Sequence, residues 1–270
     1  MSLGGMLQLF LAIVVIGFAI AYFLRGPTEI EGFTNANGSN PTFEDAADDP
    51  RDLQWLGSLS RADTTARAGH SCKPLTTEPG PAGTIIINTA ASCEAGMPHT
   101  RPGDRIVIPA GAAGDRSEII HHELIHILQR RHADEWSKFY RRSWAFVFHP
   151  SPPTGLPADI RAAKRSNPDT WDPEMGGPWA CWHGRFWPIP IYKNIDAPTL
   201  RDSTTVWWDD MRQELLTVPP PSWTTFFGHP GQNEHPHEIS ACMIVANNTA
   251  TEAGRRLMNW WQAQTFSVVQ

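Results

Sequence analysis

His122-Glu123-Leu124-Ile125-His126 stands in the middle of residues 115–132, DRSEIIHHELIHILQRRH. Side chains four positions apart on a helix lie one above the other on the same face. His122 and His126 can therefore offer two imidazoles to one metal ion. Glu123 stands beside the first of them, where a carboxylate can reach a water on that metal and act as general base. Two histidines and a glutamate also interrupt an otherwise apolar helix. Burying them costs free energy unless something pairs with them, and a metal would do so. The competing reading is a structural helix whose histidines are satisfied by protein partners.

Two histidines do not complete a catalytic zinc site, which uses three protein ligands and keeps a fourth position for water. The first candidate for the third ligand is Glu238, in Asn233-Glu234-His235-Pro236-His237-Glu238. Pro236 suits the first turn of a helix, and Ile239, Ala241 and Cys242 can then pack against the first helix. Glu234, His235 and His237 share that segment and remain open. The second candidate is His132, ten residues after His122, the spacing of HExxHxxGxxH. There a glycine lets the chain turn back to the metal, but Gln129 occupies that position here and does not readily adopt a left-handed turn. The reading favours Glu238. His121 lies about 100° around the helix from His122, and so reads as a surface or supporting residue.

On His122, Glu123, His126 and Glu238 the chain resembles a zincin-type metallopeptidase of the gluzincin kind. Pro236-x-Glu238-x-x-Ala241 is similar to the surroundings of the third ligand in several such families. The resemblance covers the metal helix and one later segment. It implies Zn2+ held by His122, His126 and Glu238, Glu123 as general base, and a peptide or protein substrate. Gluzincins commonly use a tyrosine or histidine to stabilise the oxyanion. Of the three tyrosines, Tyr22 falls in the apolar N-terminus, which leaves Tyr140 and Tyr192. Tyr192 is the expected donor, with His237 behind it.

The elements that must position these residues are signalled locally. Asp115 followed by Glu118 resembles a capping box, and Arg130 and Arg131 suit the last turn of the helix. Residues 84–88 and 105–109 are β-branched runs expected in one small sheet, and the resemblance to zinc peptidases implies that the second forms a cleft wall ahead of the metal helix. His132 to Asp134 mark a kink, with helix continuing through 133–148. Residues 189–192 and 204–208 read as strands, 209–216 as a short helix, and 252–264 as a terminal helix. Arg165-Ser-Asn-Pro-Asp169 carries turn chemistry. Trp171, Trp179, Trp182 and Trp187 read as packing for a loop-rich wall. A sugar-binding platform is the alternative.

The whole chain has 270 residues, 12 Trp, 24 Pro and a net charge of -6, with no basic run. Nucleic acid is therefore not an expected partner. Residues 3–24 are nearly all apolar and long enough to cross a bilayer. No basic n-region and no clear cleavage site accompany them, which favours an uncleaved anchor over a signal peptide. The expected organisation is a transmembrane anchor at 1–25, a flexible linker at 26–50 and a metallopeptidase domain at 51–270. The protein is then single-pass, with the side of the membrane left open. The expected fold is α+β: a zincin-like domain with a small mixed sheet, the HExxH helix and a loop-rich, Trp-rich C-terminal part. Cys72, Cys93, Cys181 and Cys242 allow two disulfides, a Cys72–Cys93 pair among the pairings, or four free thiols. A non-catalytic anchored protein that keeps the metal fold is the competing functional class.

Overall fold

The computed structural model describes residues 50–230 and 232–264. The expected anchor at 3–24 and the linker up to residue 49 lie outside them. Among the described residues no helix is long and apolar enough to cross a membrane.

The described chain is a mixed α+β fold with two small sheets. Two short helices open it, α1 (Pro50–Gly57) and α2 (Arg61–Ala66). Strands β1 (Pro74–Pro79), β2 (Ile85–Thr89), β3 (His99–Arg101) and β4 (Arg105–Pro109) form the first sheet in the order β1-β2-β4-β3. The two β-branched runs, β2 and β4, pair in parallel from Ile85 opposite Arg105 to Thr89 opposite Pro109. The other two pairings are antiparallel. Helices α3 (Arg116–Arg131) and α4 (Ala133–Phe139) follow, and a wider π-type turn at 140–144 leads out of them.

The second sheet is an antiparallel meander of β5 (Phe146–His149), β6 (Trp179–Trp182), β7 (Phe186–Tyr192), β8 (Ser203–Asp209) and β9 (Glu214–Leu216). A short α5 (Ala158–Ala162) lies between β5 and β6. Three helices close the described chain: α6 (Pro221–Phe227), α7 (Pro236–Val245) and α8 (Glu252–Gln262).

Helix α3 lies between two cores, and its composition explains why. Ile127 packs with Ile86, Ile106 and Ile108 of the first sheet. Ile125 joins the larger aromatic core with Trp136, Trp223, Ile239, Ala241 and Leu257. A helix covered on both sides needs apolar residues around most of its circumference, and the run from Leu124 to Leu128 supplies them. Most of the tryptophans are core. Trp136, Trp144, Trp182, Trp207 and Trp223 are buried, and Trp182 meets Trp223 edge-on at 5.2 Å. Trp179 and Trp187 are buried as well, which agrees with packing rather than an open sugar platform.

Several expectations change. The C-terminal half is not merely loop-rich: it holds the five-stranded sheet. Residues 209–216 are a hairpin, not a helix. The Asp209 carboxylate accepts the N–H groups of Met211 and Arg212 and turns the chain back, so that Trp207 faces Leu216 across β8 and β9. An Asp bonded to the backbone two residues on competes with helix formation. At residue 115 only half of the capping box forms. Asp115 caps the N–H groups of Ser117 and Glu118, and no reciprocal bond from the Glu118 side chain is seen. One disulfide, Cys72–Cys93, is present; Cys181 and Cys242 are free thiols.

The Cys72–Cys93 bond closes a loop of sequence separation 21 that contains β1 and β2. Loop closure of that length stabilises the fold by about 3 kcal/mol, chiefly through the unfolded chain. Replacing both cysteines by serine is expected to lower the unfolding free energy by about that amount, read from a denaturant titration. A change well under 1 kcal/mol would mean that the loop is already ordered without the bond.

Candidate metal centre

Helix α3 carries His122 and His126 one turn apart, their ring centroids 4.8 Å from each other. The two Nε2 atoms face one another at 3.1 Å. Helix α7 brings the third group. Its N-cap is His235, its first residue is Pro236, and Glu238 stands in the first turn, where the helix dipole favours an acid. Glu238 Oε2 lies 3.3 Å from His122 Nε2 and 3.5 Å from His126 Nε2. Four-coordinate zinc with bonds of about 2.0–2.2 Å places its ligand atoms about 3.3 Å apart. The three atoms match that triangle. Glu238 Oε2 is buried and has no hydrogen-bond donor beyond these ring nitrogens. An ionised oxygen in that position calls for a cation.

The surrounding hydrogen bonds fix the orientation of each group. Gln129 Nε2 donates to the carbonyl of His237, at 3.1 Å, and to Ser240 and Tyr140. That bond to a carbonyl fixes the amide orientation, so Gln129 Oε1 must accept from His126 Nδ1 at 2.8 Å. His126 is then protonated on Nδ1 and turns the lone pair of Nε2 toward the triangle. Glu238 is held from its other side: Asn167 Nδ2 donates to Oε1 at 2.6 Å and also to Glu234. Asp169 Oδ1 accepts the N–H and hydroxyl of Thr100, which ties the same loop to β3.

Glu123 is buried beside the triangle, and its Oε2 has no partner. Burial, then the nearby Asp169 carboxylate, raises its pKa well above the usual carboxylate range, and the neighbouring His122 pulls the other way. Burial disfavours charge on His122 too, but contact with Cys242 and the Glu238 carboxylate prevails and pushes it up to about 11. Burial would raise Glu238, yet His126 and His122 hold it well below the usual range. In the metal-free chain a proton on His122 thus does part of a cation's work.

The three metal-binding candidates and Glu123 come together. The oxyanion candidates do not join them. Tyr192 ends β7, is buried among Ala62, Ala66 and Leu200, and its hydroxyl donates to Asp63 at 2.9 Å. That bond is satisfied within a buried charge network, so Tyr192 has no part in the cleft. His237 points into the core, between Met175 Sδ and the carbonyl of Asp169. His132 ends α3 at non-helical angles and stands outside the triangle. His121 is exposed.

A cleft of about 390 Å³ opens over His122, Glu123 and Glu238. Met97 and Pro98, which lead into β3, and His99, its first residue, form one wall. β4, the expected wall, contributes no residue to the cleft; it lies one strand in from the edge, beside β3. Sequence reasoning missed Gln129 and Asn167. In the sequence Gln129 reads only as a missing glycine, although a glutamine three residues after a histidine can hold its tautomer. Asn167 was visible only as a turn residue. The chain was compared with protein-family models, curated proteins and solved structures, and nothing in any of the three matches it.

Gln129→Leu removes the acceptor for His126 Nδ1 and leaves the Ser240 and Tyr140 hydroxyls with one partner fewer. Zinc affinity is expected to fall about 10- to 100-fold, measured by competition with a chromogenic chelator. Unchanged affinity would mean that the amide does not orient the ring.

Zinc binding near neutral pH is expected to release at least one proton. His122 holds its proton below about pH 11 in the metal-free chain, and a ligand imidazole must be deprotonated. The release should fade as pH rises toward that value. Calorimetry in two buffers of different ionisation enthalpy reads it, and a zero proton count would show His122 already neutral.

Proposed function

We propose that the chain is a zinc-dependent peptidase of the gluzincin kind, anchored by residues 3–24. One observation carries the reading: the near-equilateral triangle of His122 Nε2, His126 Nε2 and Glu238 Oε2, with Glu123 beside it and a cleft open above. His122, His126 and Glu238 would hold the metal. Zinc at such a site lowers the pKa of a water toward neutrality and polarises a carbonyl.

The protein's own groups divide the remaining work. Glu123 accepts the proton of the attacking water and delivers it to the departing amine. Its raised pKa in the metal-free chain suits it to hold a proton, and a dication nearby lowers that pKa so that the carboxylate can also act as a base. With Tyr192 and His237 turned elsewhere, Arg165 is the cationic donor on the cleft wall. It is positioned by long contacts of 3.4 Å to Glu234, and it can stabilise the developing oxyanion.

Cys242 favours a second reading. It lines the cleft one turn after Glu238 and touches His122. A thiolate as fourth ligand would close the site into a structural zinc centre of a non-catalytic protein.

Elemental analysis of the purified full-length protein is expected to give one zinc per chain. Glu238→Ala should lose it, and Glu123→Gln should keep it. Glu123→Gln should lower the cleavage of a peptide library by a factor of about 100 or more. Wild-type cleavage by that variant, or a well-folded chain that takes up no zinc, would overturn the reading. Loss of zinc in Cys242→Ala would select the structural centre instead.

A further inference from the structure

A second cavity, of about 190 Å³, lies behind the loop that holds Glu238. Trp55, Trp171 and Trp179 line it, together with Lys164, Arg161 and Asp63. Asn167 borders both this cavity and the metal cleft.

The donors and acceptors around it do not balance. The Lys164 ammonium sits 5.0 Å from the centroid of the Trp179 ring. Among the described residues it makes no side-chain hydrogen bond and no ion pair, although it is half-buried. The one carboxylate on the wall is already taken. Asp63 accepts from Ser166 N and Tyr192 through one oxygen, from Ser166 Oγ and Ser60 through the other, and pairs with Arg67. The indole N–H of Trp171 is buried without an acceptor. An ammonium carries three donors, and removing them from water without acceptors is costly. Burial lowers the pKa of Lys164, and the Asp63 and Glu234 carboxylates oppose it without pairing with it directly. A cation beside the indoles of Trp171 and Trp179 in one partly open cavity selects a flat body bearing a negative group. A cavity of about 150 Å³ suffices for benzene, so this one has room for a ring and a carboxylate.

We propose that this cavity binds a small organic anion of the size and chemistry of an arene carboxylate, with its carboxylate on the Lys164 ammonium and its ring beside Trp171 and Trp179. The site is separate from the metal triangle and does not depend on the peptidase reading. Its occupant would rest against Asn167, the residue that holds Glu238 Oε1.

Benzoate is the probe, and the 15N–1H signals of the indole groups in the full-length protein are the readout. Benzoate is expected to shift the Trp171 and Trp179 indole signals with a Kd on the order of 1 mM. The neutral isostere benzamide should not. The shifts should persist in excess EDTA, which separates this site from any carboxylate binding at a metal. Lys164→Met should weaken binding by about tenfold or more, and Lys164→Arg, which keeps the charge, should retain it. The contrast between benzoate and benzamide is made on the wild-type chain and so stands even where a variant folds poorly. Three results would each overturn the site: no indole shift at roughly ten times that concentration, equal shifts from benzamide, or unchanged affinity in a folded Lys164→Met.

Discussion

The contact on which the rest of the structure depends is that of the Glu238 carboxylate with the two imidazoles of α3. It joins helices that are 112 residues apart in the chain, counted from His126 to Glu238, and it does so inside the protein. A buried carboxylate with an unsatisfied oxygen is expensive, and so is a buried imidazole turned toward another one. The three groups tolerate each other because a proton or a metal can sit among them. Packing alone would not place them so. Ile125 on α3 and Ile239, Ala241 and Met243 on α7 hold the helices together, and the polar triangle fixes their register within that apolar contact.

The loop at 165–169 transmits this constraint to the N-terminal part of the domain. Arg67 donates to the carbonyl of Ser166 and to both oxygens of Glu94. Asp63 holds the N–H and the hydroxyl of Ser166. Asn167 then reaches Glu238, and Asp169 reaches Thr100 on β3. Removing one member of a buried ion pair typically costs about 3–5 kcal/mol, because the partner is left uncompensated. Arg67 is buried in such a network, and so is Arg101 with Asp52. Helices α1 and α2, remote from His122, His126 and Glu238 in sequence, are therefore part of what holds Glu238 in place. Tyr192 belongs to this support through Asp63, which is why a tyrosine chosen for oxyanion chemistry turns out to be structural.

Residues whose meeting depends on helical spacing were legible in the sequence. His122, Glu123 and His126 follow from periodicity, and Glu238 follows from a proline-started helix with an acid in its first turn. The strands β2 and β4 follow from β-branched runs bounded by Gly and Pro. What was not legible depends on contacts between distant segments. The partners of Asn167 and Tyr192 lie 71 and 129 residues away, and no local pattern names them. The hairpin at 209–216 was misread for a local reason. Its apolar and polar residues fit a helix, but Asp209 spends its carboxylate on the turn and on Arg185.

Asp169 also bears on how a peptide could approach the centre. β3 is an edge strand, and its wall of Met97 to His99 faces the cleft. An exposed edge would offer a peptide a ladder of backbone hydrogen bonds. β3 is only three residues long, all of them buried, and its outward N–H, that of Thr100, already donates to Asp169 at 2.6 Å. A chain laid along this edge would meet a carboxylate and the 168–170 turn instead of free donors. Strand addition here would require the Thr100–Asp169 bond to break, and that bond anchors the same loop that positions Glu238. In the conformation described, a peptide in the cleft would therefore meet side chains on its walls, among which Arg165 and the apolar Met97, Ile119 and Val245 offer one cation and three hydrophobic contacts.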